Sequence, residues 1–446
     1  MPAFTEEQVV NFAPDENSIV AGRQLAYATN WVNLGANEVA LWGECKGSGS
    51  KPYQACIEVV SAAFKCSCPS RKIPCKHCLA LMYLNIKDSA SFTSEPPSWV
   101  EEWLKSREER AEKKAKKAED AAPVDPVAKA KRQASRHSKV ESGLNDFSLW
   151  LQDRIRQGFS GLDSQSYQFW EKQAARLTDA QAPGLARLLR SCAGIPNSGE
   201  GWQSRLIEQL SLMHTIVEGF QNIKELPENV QQDIRAAIGF AVSQEDVLAK
   251  PGLQDIWHVL GQRVDAEDKL RTQRTWLRGE KTGRWALILS FAHGTAPLDN
   301  SFSAGSAYNA ELCFFPGSYP IRALMKSKND TKNGITSLRG YMHSEAFLDD
   351  YALALSCNPF IETFPVAIEN VRAVPAQDEL LIVDAENRLI PLSRSSEGIK
   401  WHVLALSGGY PFSVFGEWNG RRLMLLSAVC DGIFYRLDNK AVSNVT

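Results

Sequence analysis

The stretch Lys65-Cys-Ser-Cys-Pro-Ser-Arg-Lys-Ile-Pro-Cys-Lys-His-Cys-Leu holds four metal-ligand side chains, spaced Cys66-x-Cys68-x6-Cys75-x-His77. Zinc takes four tetrahedral nitrogen and sulfur donors, with Zn–S near about 2.3 Å, and a structural site leaves no position open. Each close pair can chelate from one short piece of backbone. The intervening residues let the second pair turn back on the first. The flanking sequence agrees with such a site: Ala55–Ala63 reads as a strand that delivers Cys66 and Cys68 at its end. Pro74 precedes a predicted helix with Leu79, Met82, Tyr83 and Ile86 on one stripe. Cys75 and His77 then fall in the first turn, where the positive helix end favours thiolate. A small ββα unit built this way depends on its metal, since such sites supply about 10–16 kcal/mol of apparent binding free energy.

The charge balance points the same way. Three thiolates and one Zn2+ leave a net negative charge, and Lys65, Arg71, Lys72 and Lys76 surround it without an acidic neighbour. Cations so placed favour deprotonated ligands. Cys78 adjoins His77 but reads as an inert thiol facing the helix core. Cys45 and Cys56 read as buried residues on adjacent strands. The other four of the ten cysteines, Cys192, Cys313, Cys357 and Cys430, stand singly in apolar contexts. That distribution suits a reducing compartment, not a disulfide scaffold.

At the four ligand positions the chain resembles the SWIM zinc-finger family, whose pattern is Cys-x-Cys, a variable loop, then Cys-x-His on a ββα unit. Cys66, Cys68, Cys75 and His77 match that pattern without departure, and the resemblance covers about residues 38–87. It implies one structural Zn2+. Leu41-Trp-Gly-Glu-Cys-Lys-Gly-Ser-Gly-Ser-Lys-Pro-Tyr looks like the corresponding stretch of bacterial SWIM proteins. A weaker likeness extends to Thr272-Gln-Arg-Thr-Trp-Leu and to Leu406-Ser-Gly-Gly-Tyr-Pro-Phe-Ser-Val-Phe-Gly-Glu-Trp. Such relatives tend to be encoded beside MoxR-type AAA ATPases and von Willebrand A-domain proteins, which the resemblance implies as candidate partners. The family at large is associated with DNA binding or protein–protein contacts.

At 446 residues the chain calls for several domains. The expected class is α+β and multidomain: an N-terminal ββα zinc module, a helical middle domain and a β-rich C-terminal domain. Residues 1–105 read as the zinc domain with flanking helices. Ser98 caps a helix with Glu101 as its capping-box partner, and Trp99 and Trp103 share a face. Residues 106–140 read as a charged helical or disordered linker: the helix turns all-polar over Arg107–Asp120, Pro123 and Pro126 stop it, and residues 98–140 carry twelve basic against eight acidic side chains and end in the acid-free run Lys129–Lys139. Residues 141–280 are expected to be helical, from stripes such as Phe147, Trp150, Leu151 and Ile155. Residues 281–446 read as strands, among them Trp401–Leu406 and a hairpin at Asn419-Gly420.

The function classes narrow in turn. A formal charge of −2 does not mark the whole molecule as a nucleic-acid or membrane binder. The longest apolar runs, such as Trp285–Ala292, fall far short of the ~20 residues that span a bilayer. No export signal stands in the first thirty residues, so a cytoplasmic location is expected. No phosphate-binding glycine loop or catalytic zinc signature occurs. Ser48-Gly-Ser-Lys51 has Ser-x-x-Lys spacing but reads as a hairpin loop and lacks the companion motifs. His293, His343 and His402 have no acidic partner that sequence brings to them, and Trp401, Tyr410, Phe412, Phe415 and Trp418 read mainly as strand core. The chain is therefore not expected to be an enzyme. Two functions remain: an adaptor whose zinc finger makes protein–protein contacts, or a DNA binder using the basic rim of the zinc module, Lys65, Arg71, Lys72 and Lys76 with Lys87 beside them, and the basic linker.

Overall fold

The computed structural model describes residues 4–437, apart from 5, 7–8, 10–11, 14–15, 48–50, 60–62, 71, 94, 120–125, 163–164, 268–269, 295–297, 299–300, 333 and 377–378. The chain divides into two units, Met1–Asp125 with Ala292–Pro297, and Pro126–Phe291 with Leu298–Thr446.

The first unit holds a four-stranded antiparallel meander whose central strands are buried on both faces. Its strands are β1 (Trp31–Ala36), β2 (Ala40–Cys45), β3 (Tyr53–Glu58) and β4 (Ala63–Cys66), in the order 1-2-3-4. Leu41 pairs with Ile57, and both meet helices α1 (Glu16–Leu25) and α2 (Lys76–Lys87) on one face. Trp42 pairs with Cys56 on the other face, which Val100, Trp99 and Trp103 of α3 (Ser98–Glu119) cover. Cys45 and Cys56 thus lie on adjacent strands, fully buried, facing opposite sides of the sheet. Gly35 sits opposite Trp42, and a Cβ there would come within 2.2 Å of the indole, so that position tolerates no side chain. The expected ββα core is present as β3, β4 and α2, set within this larger sheet.

The second unit begins with helices: α4 (Pro126–Gln157), α5 (Tyr167–Asp179), α6 (Pro183–Ser191), α7 (Trp202–Gln221), α8 (Glu228–Ile238) and the short α9 (Gln244–Leu248). Val140, Leu144, Phe147 and Leu151 line one side of α4 and pack on Leu206, Leu210, Met213 and Val217 of α7 in a single core. Pro183 opens α6, and Gly239, at φ +107°, closes α8.

Two antiparallel sheets follow. One holds β5 (Leu253–Glu267), β6 (Leu270–Gly279), β7 (Trp285–His293), β8 (Ala307–Phe314) and β9 (Ala323–Lys332), in the order 7-6-5-8-9. The other holds β10 (Phe364–Ala376), β11 (Glu379–Val383), β12 (Leu389–Ile390), β13 (Phe412–Trp418), β14 (Leu423–Cys430) and β15 (Ile433–Arg436), in the order 12-11-10-13-14-15. Leu260, Trp276, Leu287, Ala367, Phe415 and Leu426 fill the space between them. Helices α10 (Ser344–Cys357) and α11 (Lys400–Ser407) contribute Phe347, Ala354 and Val403 to the core on the outer face of the second sheet.

Three boundaries differ from those expected. The helical region ends at Leu248, and residues 253–267 and 270–279 form β5 and β6. Ordinary alternation puts Trp257 and Val259 on one face of β5 and Leu260 on the other, and both faces are buried. The apolar pattern of β5 therefore mimics a helical stripe. The helix expected from Ser98 through the all-polar stretch is present as α3, whereas residues 126–140 belong to α4, where lysines, arginines and alanines are good helix formers. Arg136, expected in a solvated tether, donates to Gly239 O at 3.1 Å and stacks over Phe240. The side chains of Lys129, Lys131 and Arg132, like Ser48-Gly-Ser, lie outside the described residues. Trp401–Leu406 is helical, because Gly408 in the left-handed region gives α11 its end.

Candidate metal centre

Cys66 is the last residue of β4, paired with Ala55, and the pairing continues past it through Ser67 N–H to Gln54 O at 3.0 Å. This extended backbone puts Cys66 and Cys68 on the same side. Cys75 is the N-cap of α2, its carbonyl accepting from Leu79 N–H at 3.1 Å, and His77 lies in the first turn. The hairpin end and the helix start converge. The four ligand atoms of Cys66, Cys68, Cys75 and His77 all lie within 4.8 Å of one another.

Those separations fit a first coordination shell. With Zn–S near about 2.3 Å and Zn–N near about 2.0 Å, a tetrahedron has edges of roughly 3.5–3.8 Å. His77 Nδ1 stands 3.7 Å from Cys66 Sγ and 3.9 Å from Cys75 Sγ. The imidazole is buried and stacks beside Tyr53, ring centroids 4.9 Å apart, which fixes Nδ1 toward the sulfurs. Three soft sulfurs and one imidazole suit zinc, and the cluster fits one structural Zn2+.

The thiol electrostatics show what the cation would complete. Hydrogen bonds from the Cys66 and Cys78 sulfurs hold Cys75 far below the usual thiol range, so this thiolate forms most readily. The same bond to Cys75 raises Cys66, and burial raises Cys68. One bound divalent cation would draw all three protons off. Cys78 Sγ lies 3.8 Å from Cys75 Sγ and 3.7 Å from Lys65 O, outside the four-atom group. Hydrogen bonding to the Cys66 and Cys75 sulfurs, together with burial, keeps Cys78 protonated. It acts as a neutral thiol donor beside the cluster. Burial also pushes Cys56 up to about 12 and raises Cys45, which leaves both inert.

The basic rim divides. Lys65 Nζ sits 5.9 Å from the centre of the Trp103 ring, and Lys87 Nζ lies 5.6 Å from that of Tyr27. Lys72 and Lys76 are exposed, and Arg71 lies outside the described residues. Elsewhere, Phe412, Phe415 and Trp418 are buried, whereas Trp401 and Tyr410 expose 72% and 76% of their surface. His343 approaches Glu386 at 3.4 Å. Sequence reasoning missed a buried carboxylate, Glu417, between Arg263 and Arg274, and a cleft beside the turn that joins β6 to β7. No local spacing signals either one, because their residues converge only through the sheet order.

A closed Cys3His set at the junction of a β-hairpin and a helix N-terminus defines a structural zinc finger. The family model of the SWIM zinc finger matches residues 65–85, and that of the SWIM-associated four-helix bundle domain matches residues 135–238. The chain thus carries a SWIM-type zinc finger and a SWIM-associated four-helix bundle domain. No curated protein and no solved structure matches it. Among the described residues, no helix is long and apolar enough to cross a membrane.

Proposed function

We propose that this protein is a cytoplasmic adaptor, in which zinc fixes the shape of the N-terminal module so that the module can contact a protein partner. The observation that carries this reading is where the cations near the metal site go. Lys65 lies over Trp103 and Lys87 over Tyr27, within the module's own structure, so the rim is a weaker phosphate-binding stripe than the sequence suggests. The exposed Trp401 and Tyr410 in the β-rich region support the same reading, since such side chains are enriched at protein interfaces. A MoxR-type AAA ATPase or a von Willebrand A-domain protein is the partner class that the family resemblance suggests.

The test pairs two measurements on the full-length, zinc-loaded chain. Purified MoxR-type ATPase and von Willebrand A-domain protein from the same source are titrated against it by biolayer interferometry. Labelled single- and double-stranded DNA are titrated by fluorescence anisotropy at several salt concentrations. Saturable binding to either protein, unchanged in a Lys72→Glu/Lys76→Glu variant, is the expected result. Tight DNA binding with a steep salt slope, lost in that variant at full zinc content, would replace the adaptor with the DNA-binding reading.

A further inference from the structure

The β-rich region holds a cleft of about 620 Å3, within the range of small-molecule sites. Arg278, Arg284 and Trp285 line it from β6, β7 and the turn between them, and Tyr319, Tyr341 and Asp350 line it opposite. We propose that this cleft binds a small organic oxyanion, a phosphate or carboxylate carried on a flat apolar body.

The charge pattern carries the argument. Among the described residues, no carboxylate forms an ion pair with Arg278 or Arg284. Arg278 stacks over Trp285 at 4.9 Å and donates to the carbonyl oxygens of Arg339 and Gly283, which leaves part of its five-donor set open. Burial pulls its pKa below the usual guanidinium value, a cost that a bound anion would relieve. Glu369, the nearby acid, is engaged instead: its Oε1 accepts Gly340 N–H at 2.7 Å. Arg284 is held over the Phe314 ring at 4.0 Å.

Asp350 is the single acid in the lining, and its Oδ2 accepts the Tyr341 hydroxyl at 2.7 Å. The lining therefore carries two guanidiniums against one carboxylate. The Tyr319 hydroxyl has no hydrogen-bond partner among the described residues and remains available as a donor. Trp285, Pro320 and Ile321 supply the flat apolar wall.

The site is also pre-formed. Buried Asp255 accepts Thr282 Oγ1 at 2.7 Å, Thr282 N–H at 3.0 Å and Lys281 N–H at 3.2 Å. That carboxylate sets the turn carrying Thr282, Gly283 and Arg284 before any ligand arrives.

Isothermal titration calorimetry of the full chain at low salt tests this, with phenyl phosphate, benzoate, inorganic phosphate and neutral benzamide as probes. One or both aromatic anions should saturate a single site, with inorganic phosphate and benzamide about tenfold weaker or more. Whichever aromatic anion binds identifies the phosphate or the carboxylate class. Arg284→Gln, an exposed position whose thermal midpoint is checked in parallel, should weaken binding about tenfold. Asp350→Asn, which keeps an acceptor for Tyr341, should tighten it. The proposal is overturned if neither aromatic anion saturates, if inorganic phosphate binds as well as phenyl phosphate, or if Arg284→Gln binds like the parent.

Discussion

Asp233 on α8 accepts the backbone N–H of Ser318 at 2.9 Å, across 85 residues of sequence. Its other oxygen takes Asn358 Nδ2 at 3.0 Å, just after α10. One buried carboxylate thus joins the helical bundle to two loops of the β-rich region. Truncation to alanine leaves the Ser318 and Asn358 donors without an acceptor and should cost about 1–3 kcal/mol. Burial raises the pKa of Asp233 against the lowering effect of the Ser318 bonds. Its contribution is therefore fully present below the unfolded value near about 4 and is lost as pH rises through the folded value. Asp233→Asn should lose less stability than alanine at neutral pH and should remove that pH dependence. Urea midpoints of the parent and both variants, measured between acid and neutral pH, check this.

Metal removal separates the ligands from their neighbour. Cys75→Ser and His77→Ala should each abolish stoichiometric zinc and unfold the sheet and helices around the site, given the roughly 10–16 kcal/mol such a metal supplies. Cys78→Ala should keep one zinc per chain, because its sulfur lies outside the four-atom group. Zinc content by mass spectrometry, paired with thermal melts, reads both. Loss of zinc in the Cys78 variant would move that thiol into the ligand set.

These features differ in how far sequence could reach them. Cys66 to His77 were legible because a zinc site is written in local spacing, and each pair chelates from its own segment. The α4 stripe Val140, Leu144, Phe147, Leu151 was legible because a long helix repeats one period. The reach of β5 was not, since both faces of that strand are buried, and consecutive apolar residues such as Val259 and Leu260 imitated a helix. The cleft drew Leu253, Arg278, Tyr319 and Asp350 from four separated segments, so no window of sequence contained it.

Acid should weaken the turns that two carboxylates organise. Asp384 is fully buried and accepts Ser344 N–H and Oγ–H at 2.8 Å each, Glu386 N–H at 3.0 Å and Arg388 N–H at 2.9 Å. Burial raises its pKa, but these bonds outweigh that effect and leave it lowered, as at Asp255. The stability they contribute is present above the unfolded value near about 4 and is lost as pH falls through the lower folded values. Asp384→Asn turns an amide N–H toward one pair of donors and should cost about 1–3 kcal/mol at neutral pH. The variant should also show a shallower loss of stability in that acid window. An unchanged acid limb of the denaturation midpoint would remove Asp384 from this role.

Glu417 offers the sharpest test of how the two sheets are held together. Its side chain is 1% exposed, and Oε1 accepts Arg274 Nε at 2.8 Å and Trp276 Nε1 at 2.6 Å. Oε2 lies 3.0 Å from Arg263 Nη1, whose N–H is directed at Met424 Sδ, so that contact is one of charge and not a hydrogen bond. Removing the carboxylate leaves Arg274 Nε and the Trp276 N–H without their acceptor between the sheets. Arg263 keeps Asp265 at 2.8 Å, and Arg274 keeps the Thr363 hydroxyl at 2.6 Å. Glu417→Ala should therefore cost about 3–5 kcal/mol, in the range of a broken buried ion pair. Glu417→Gln keeps an acceptor for Trp276 and should fall between the parent and alanine. Replacing Glu417 and Arg274 together with apolar residues of similar volume should recover much of the loss, because a buried charge left alone costs more than the pair contributes. A double-mutant cycle on urea midpoints measures that recovery, and strict additivity of the two single losses would show that the pair does not act as a unit.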